Sequence, residues 1–500
     1  MLTWPTITIS LLFIINTCTT LPTSTKTASI RINNTISPQE HQYLINKEPI
    51  AQAALEKILQ RNLTDKKVPK IACVLSGGGY RSMLCTTGLM RGIQKIGLLN
   101  AVHYVTALSG SVWAIAPWIS TNMPLKLFKE YIKSATSQNL FNITVKEKEL
   151  IANIIKAKEM YCQPLTLADP YGALLANTLL HYKNDLRQMT PLSKQAHTID
   201  NHPSFPYPIY TMIDAYKTKH PDWYTFTPHE IGNLNKGTYI PSWSFGCTFF
   251  QGKSTNNAPE QSLGYIMAAC GSAFAATLHE IIKSYQLNIS IHFQEILEAI
   301  LQPIENKRIL PFWAEIPNYM NGIEAIQHKH MKFVDAGFDI NLAYPPISGI
   351  CPDRTADIIL FLDASEDTLG NELKKCEQYA QRNNLPFPPI NYHDIAKKTI
   401  SIFKDLQNIQ SPLVIYMPCI SDSQLWENNK KNNAFKDYNL SGFDLKKETD
   451  YGFCQTQYFH YTPSNASIVM NQIEFNIRAN RKAIIEAIDW KTQQLNTSSH

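Results

Sequence analysis

Ser76-Gly77-Gly78-Gly79-Tyr80-Arg81-Ser82 sets three consecutive glycines and an arginine between a short apolar run and a stretch of helical spacing. Glycines let the backbone approach a ligand closely, and a helix that follows aims unpaired N–H groups at it. Such a turn can cradle a phosphate or a developing oxyanion. A dinucleotide fingerprint starting at Gly77 needs a glycine where Ser82 stands, and the closing Gly-Lys-Ser/Thr of a P-loop is missing. What is left is an oxyanion hole at Gly77, Gly78 and Gly79, with Arg81 a fixed positive charge one helical turn away. Taken alone, the stretch reads as readily as a glycine turn beside a solvated arginine. Ala107-Leu108-Ser109-Gly110-Ser111 places a serine on a sharp strand-to-helix turn, the geometry of a nucleophile elbow. Its flanks depart from the common G-x-S-x-G, and in isolation Ser109 fits a helix N-cap better than a nucleophile. Val334-Asp335-Ala336-Gly337 sets a carboxylate at a strand end before a small turn, a pattern that most often marks an ordinary turn. Asp335 lies 335 − 109 = 226 positions beyond Ser109, so only a fold can join them.

The elements around these residues read as strand–turn–helix units. Lys70–Leu75 and Val102–Leu108 are short apolar runs, each followed by apolar residues at helical spacing over Tyr80–Ile96 and Val112–Ile119. Units of this kind in series imply an α/β fold with a mostly parallel central sheet flanked by helices. Glu48–Asn62 carries Ile50, Ala53, Ala54, Leu55, Ile58 and Leu59 and predicts an amphipathic helix. Thr190–Pro208 is proline-rich and predicts loops, Trp223–Gly252 is aromatic and β-like, and Gly264–Ser284 predicts a helix. Phe333–Asp335, Ile358–Leu362 and Leu413–Met417 are strand candidates, and Met470–Ile488 predicts one closing helix.

Composition narrows the function. Charged residues make up 17% and hydrophobic ones 44%, which excludes a disordered chain. The net charge is +5, with no long basic run, so no nucleic-acid partner is expected. Ten cysteines include no C-x-x-C pair, so neither a zinc site nor a redox motif is read, and most suit buried positions. Leu2–Ile15 has the length of a signal-peptide core, although the first positive side chain comes only at Lys26. The expected division is a signal peptide over residues 1–20, a Thr-, Ser- and Asn-rich linker over 21–45 and one catalytic domain over 46–490. The leader predicts a secreted or extracytoplasmic protein; without it, the chain would be cytoplasmic and peripheral to membranes.

Taken together, the three motifs resemble the catalytic domain of cytosolic phospholipase A2 and the related lysophospholipase (phospholipase B) enzymes, from about Val68 to Ile488. Gly77–Arg81 is similar to that family's glycine loop and arginine, Leu108-Ser-Gly-Ser111 to its nucleophile motif, and Asp335-Ala-Gly337 to its Asp-[Ser/Ala]-Gly. Agreement also extends to Asp222-Trp223, Phe226-Thr-Pro-His-Glu-Ile-Gly232, Gly271-Ser-Ala-Phe274, Asn341-Leu-Ala-Tyr-Pro345, Arg354 with Asp357, and Asn384-Leu-Pro-Phe-Pro388. The patatin branch matches less well, because it keeps G-x-S-x-G.

The resemblance implies a patatin/cytosolic-phospholipase-like Ser/Asp hydrolase with insertions. It would cleave acyl esters of phospholipids or lysophospholipids at a membrane surface. Ser109 and Asp335 would be its catalytic dyad, Gly77–Gly79 its oxyanion hole and Arg81 its phosphate ligand. No cofactor or metal is expected. Seventy-five residues precede Ser76, too few for the calcium-binding targeting domain of some cytosolic members, so no calcium dependence is implied. The stretch between Gly271 and Asp335 is short for a full lid. A lipid transacylase, or an inactive lipid-binding protein, is the alternative. His393 and His460 follow Asp335 in α/β-hydrolase order, but the dyad needs no histidine, and all 14 are read as structural or surface, with His103 the first to check.

Overall fold

The computed structural model describes residues 26–138, 140, 145–180, 190–217, 219–273, 310–323, 328–366 and 369–497. The leader expected over residues 1–20 and most of the short lid stretch lie outside the described residues.

One sheet of twelve strands organises the chain. We number them β1 (Arg31–Ile32), β2 (Ile71–Leu75), β3 (Val102–Ala107), β4 (Tyr207–Asp214), β5 (Trp223–Phe226), β6 (Glu230–Asn233), β7 (Thr238–Pro241), β8 (Ala314–Pro317), β9 (His330–Asp335), β10 (Ile358–Asp363), β11 (Ser401–Phe403) and β12 (Leu413–Pro418). Their order is β1-β7-β6-β5-β4-β3-β2-β10-β12-β11. The centre, β4-β3-β2-β10-β12, is parallel, and antiparallel strands extend both flanks. Residues of β2, β3, β10 and β12 are all buried. That is why these strands read as unbroken apolar runs: helices cover both faces of a parallel sheet.

The helices that matter to the site are α1 (Pro38–Leu59), α2 (Gly79–Lys95), α3 (Val112–Thr121), α4 (Leu263–Cys270), α5 (Asn371–Arg382), α6 (Pro463–Ala479) and α7 (Arg481–Thr497). Helix α2 follows the glycine turn directly, and α6 packs against it. The contact is close because Gly88 and Gly92 face α6. A Cβ at Gly88 would stand 2.5 Å from the Met470 carbonyl oxygen, and one at Gly92 would stand 2.7 Å from Ile477.

Three expectations are corrected. The linker over 21–45 ends early, since β1 pairs with β7 and α1 begins at Pro38 rather than Glu48. Ser37 caps it by accepting from the Glu40 N–H at 3.1 Å. Helix α1 is then anchored by a buried ion pair. Arg354 Nε and Nη2 donate to Glu40 Oε1 and Oε2 at 2.7 and 2.6 Å, and the Tyr104 hydroxyl donates to Oε1 at 3.0 Å. Next, the proline-rich Thr190–Pro208 holds a helix at Gln195–Asn201, and β4 starts at Tyr207. Pro208 is tolerated as the second residue of that strand, where a missing N–H costs least. Finally, the closing helix is two, α6 and α7, broken at Asn480. Helix α4 covers the start of the expected Gly264–Ser284 helix; the rest from residue 274 lies outside the described residues.

Among the described residues no helix is long and apolar enough to cross a membrane, and no three metal-ligating side chains cluster.

Candidate active site

Strand β4 brings the two halves of the site together. Its edge opposite β5 carries β3 in parallel, ending at the pair Ala107–Tyr210. The same edge then takes β9 in the antiparallel sense, ending at the pair Asp335–Met212. The C-terminal ends of β3 and β9 therefore meet head to head, two residues apart along β4. This places Ser109 beside Asp335 despite the sequence between them.

Ser109 sits in the left-handed region, with φ +49°, a conformation that costs a non-glycine residue about 1–3 kcal/mol and recurs at functional sites. Ser111 holds the turn: its hydroxyl accepts from the Leu108 N–H at 3.0 Å and donates to the Leu108 carbonyl at 2.7 Å. That clamp gives a physical role to a serine where G-x-S-x-G has glycine. Gly110 is needed for another reason. A Cβ there would lie 2.0 Å from the Gly79 carbonyl oxygen, so the serine turn and the glycine turn touch backbone to backbone.

Within the glycine turn the three residues differ. The Gly77 N–H donates to Asn341 Oδ1 at 3.0 Å and so is already engaged, which removes it from the expected oxyanion set. Gly78 and Gly79, with φ +132° and +57°, line the cavity, and among the described residues no acceptor takes their amides. Both stand where α2 begins, so the helix dipole adds to their pull on an anion.

Asp335 is fully buried. Its N–H donates to the Ser272 hydroxyl at 2.9 Å, and its Oδ1 accepts from the Gly337 N–H at 2.9 Å. Burial pushes its pKa up to about 7, although the hydrogen bond from the Gly337 amide and the nearby Ser109 hydroxyl and Ala273 amide pull the other way. A carboxylate poised there can accept a proton near neutrality, which an ordinary aspartate does poorly.

These groups open onto a cavity of about 700 Å³. Trp113 and Phe459, with ring centroids 6.2 Å apart, form an apolar part of its lining. The polar part is bonded into one network. Asn341 Nδ2 donates to the Ser365 hydroxyl at 2.8 Å, and the Asn341 N–H donates to Glu372. Lys375 pairs with Glu372 at 2.8 Å. Arg81 lines the same cavity but is 1% exposed. Its Nε donates to the Ala364 carbonyl at 2.8 Å, Nη1 to the Cys454 carbonyl at 2.6 Å and Nη2 to the Thr456 hydroxyl at 3.1 Å. Arg81, expected as the phosphate ligand, is thus not the solvated arginine that the stretch alone would equally allow but a buried one that ties α2 to two distant loops.

No histidine is among the cavity's described lining residues. His103 opens β3 at the opposite end from Ser109. Its Nδ1 accepts from the Ile71 N–H at 3.3 Å, and burial lowers its pKa. His393 is exposed beside Asp394, and His460 is exposed. The sequence reading assigned no role to Asn341, Ser272, Glu366 or Glu372. Asn341 and Ser272 did fall within segments noted for their resemblance, which was the available signal.

A strained serine turn, a touching glycine turn and a buried aspartate thus share one strand junction of an α/β sheet. Residues 71–379 match the family described as the lysophospholipase catalytic domain, and the chain belongs to it. Human cytosolic phospholipase A2 epsilon is 23% identical over 93% of this chain and 61% of its own length. The mouse zeta form is 25% identical over 92% and 62%. This chain thus spans about three fifths of the length of these curated relatives. Among solved structures, human GIVD cytosolic phospholipase A2 superposes with a TM-score of 0.80 at 20% identity, covering 93% of this chain and 69% of that one. The same human protein in complex with methyl gamma-linolenyl fluorophosphonate gives a TM-score of 0.71 at 21% identity, covering 94% and 66%.

Proposed function

We propose that this protein is a phospholipase A2/lysophospholipase that hydrolyses acyl esters of glycerophospholipids through Ser109 and Asp335. The observation that carries the reading is a strained elbow serine brought, at one strand junction and onto one cavity, beside a buried aspartate whose pKa is raised to about 7, set against two glycine amides that no described acceptor takes.

Ser109 Oγ attacks the acyl carbonyl as its proton passes to Asp335. The carbonyl oxygen becomes an oxyanion, held by the Gly78 and Gly79 amides; each such donor is worth roughly 2.7–4 kcal/mol. Collapse breaks the ester bond, and the departing glycerol oxygen takes the proton from Asp335. This leaves an acyl-serine and a free alcohol. Water then attacks the acyl-serine, Asp335 accepts its proton, and collapse returns that proton to Ser109 as the fatty acid leaves. A guanidinium has five N–H donors, and Arg81 gives three to the protein. The remaining two are offered to the substrate phosphate. The catalytic unit runs from β1 to α7, beyond the expected 46–490, because Glu40 is part of the same core. Substrate is drawn from a membrane surface. Export through a cleaved leader is part of the reading, and an intact mass starting at Met1 in protein from the native host refutes it.

A fluorophosphonate probe tests the nucleophile, and the related human protein solved in complex with such a compound supports the choice. Wild-type protein labels and releases fatty acid from lysophosphatidylcholine, and Ser109→Ala does neither. Labelling that persists in Ser109→Ala refutes the assignment.

A further inference from the structure

The mechanism leaves three charged cavity residues without a task, Glu366, Glu372 and Lys375, and of these Glu366 stands beside Arg81. Glu366 lies in the loop after β10, its side chain 43% exposed. Its Oε2 accepts from the Thr456 N–H at 3.2 Å and from the Thr456 hydroxyl, and it stands 3.9 Å from Arg81 Nη1. Arg81 in turn donates to that same hydroxyl. Arg81, Thr456 and Glu366 therefore form one polar chain that holds a carboxylate beside the guanidinium, at the place offered above to a substrate phosphate. A helical pair repeats the balance: Lys375 is neutralised by Glu372. Among the described lining residues, each of the two cations already faces a carboxylate.

That balance has a consequence for the headgroup. A phosphodiester brings one negative charge to Arg81 and meets Glu366 beside it. If the headgroup also carries an ammonium, the ammonium can pair with Glu366, and the assembled site is neutral. If the headgroup carries a second negative charge, no unpaired cation receives it, and Glu366 repels it. We propose that Glu366 is a specificity residue that selects the headgroup by charge, favouring a phosphodiester with an attached cation and disfavouring headgroups with extra negative charge. The proposal rests on the phospholipase reading above and deepens it.

The test compares kcat/KM for lysophosphatidylcholine and lysophosphatidic acid, both carried at the same mole fraction in neutral detergent micelles, so that interface charge stays constant. A unit charge about 4 Å away in a half-exposed site is worth about a decade after solvent screening. In Glu366→Gln, which can still accept from Thr456, the rate on the anionic lipid relative to the zwitterionic one should rise about tenfold. Glu366→Lys should raise it further. A second measurement stands independently of lipid presentation: glycerol 3-phosphate should inhibit aryl-ester turnover about tenfold more strongly in Glu366→Gln than in wild type. An unchanged ratio, or equal losses on both lipids, overturns the proposal and makes Glu366 a brace for Thr456. Lysolipid hydrolysis that survives Ser109→Ala, or none by wild type, instead overturns the phospholipase reading and takes the proposal with it.

Discussion

Asp335 should make this protein less stable as the pH rises, and Asp335→Asn should reverse that. In the folded chain its pKa is about 7, against 3.8 for an ordinary aspartate. Between those values the native state holds a proton that the unfolded state has lost, so the slope of unfolding free energy with pH is negative. The stabilising effect of the neutral acid is complete below about pH 4. It is lost as pH rises through about 7 and does not return above. At 1.36 kcal/mol per pH unit, the gap corresponds to roughly 4 kcal/mol, an upper figure because the denatured state retains some structure. The amide side chain of the variant keeps an oxygen for the Gly337 N–H and carries no charge to bury. Urea unfolding of both proteins at pH 4.5, 6 and 8.5 should show the variant gaining on the wild type as pH rises, by up to about 4 kcal/mol. The variant should also lose ester hydrolysis, while wild-type kcat/KM falls about tenfold per pH unit below about 7. Parallel stability curves, or a wild-type rate flat down to pH 5, would refute a raised pKa at Asp335.

Three further perturbations probe the scaffold. Arg81→Lys cannot reach three splayed acceptors with one ammonium, so it should cost about 2 kcal/mol or more in urea unfolding, and its activity loss should extend to neutral aryl esters. Gly110→Ala drives a methyl into the Gly79 carbonyl and should separate the two turns; we expect kcat to fall more than about tenfold while KM changes little, measured on lysophosphatidylcholine. Glu40→Gln strands the Arg354 charge in the core and should cost about 3–5 kcal/mol, with a fluorophosphonate-labelled site still forming at low temperature.

Local chemistry was legible and distant chemistry was not. The turns at Ser76–Ser82 and Ala107–Ser111 could be read because strand, turn and helix are contiguous there. Helices Gly79–Lys95 and Val112–Thr121 accordingly fall within a residue or two of expectation. Gly77 was misjudged because its amide is claimed by Asn341, 264 positions away. That the protein itself takes three of the Arg81 donors could not be read, because two of their acceptors, Cys454 and Thr456, come more than 370 positions later. Ser37-Pro38-Gln39-Glu40 is a helix-start signature that the Thr- and Ser-rich surroundings obscured. The break at Asn480 has no proline or glycine to announce it. Nothing in the local sequence of Glu366 reveals that a carboxylate will face the arginine.

The meeting of β3 and β9 end to end along β4 also gives the molecule an order of readiness. Ser109 emerges from the ribosome early, but Asp335 arrives 226 residues later, and α6, which packs against α2, follows later still, at Pro463–Ala479. A nascent or prematurely ended chain thus carries the serine turn without Asp335, and the glycine turn without α6 packed behind its helix. In the proposed mechanism, which needs Asp335 as its base, placing the junction late in the polypeptide acts as a safety interlock: no fragment made before β9 has docked could attack a lipid ester.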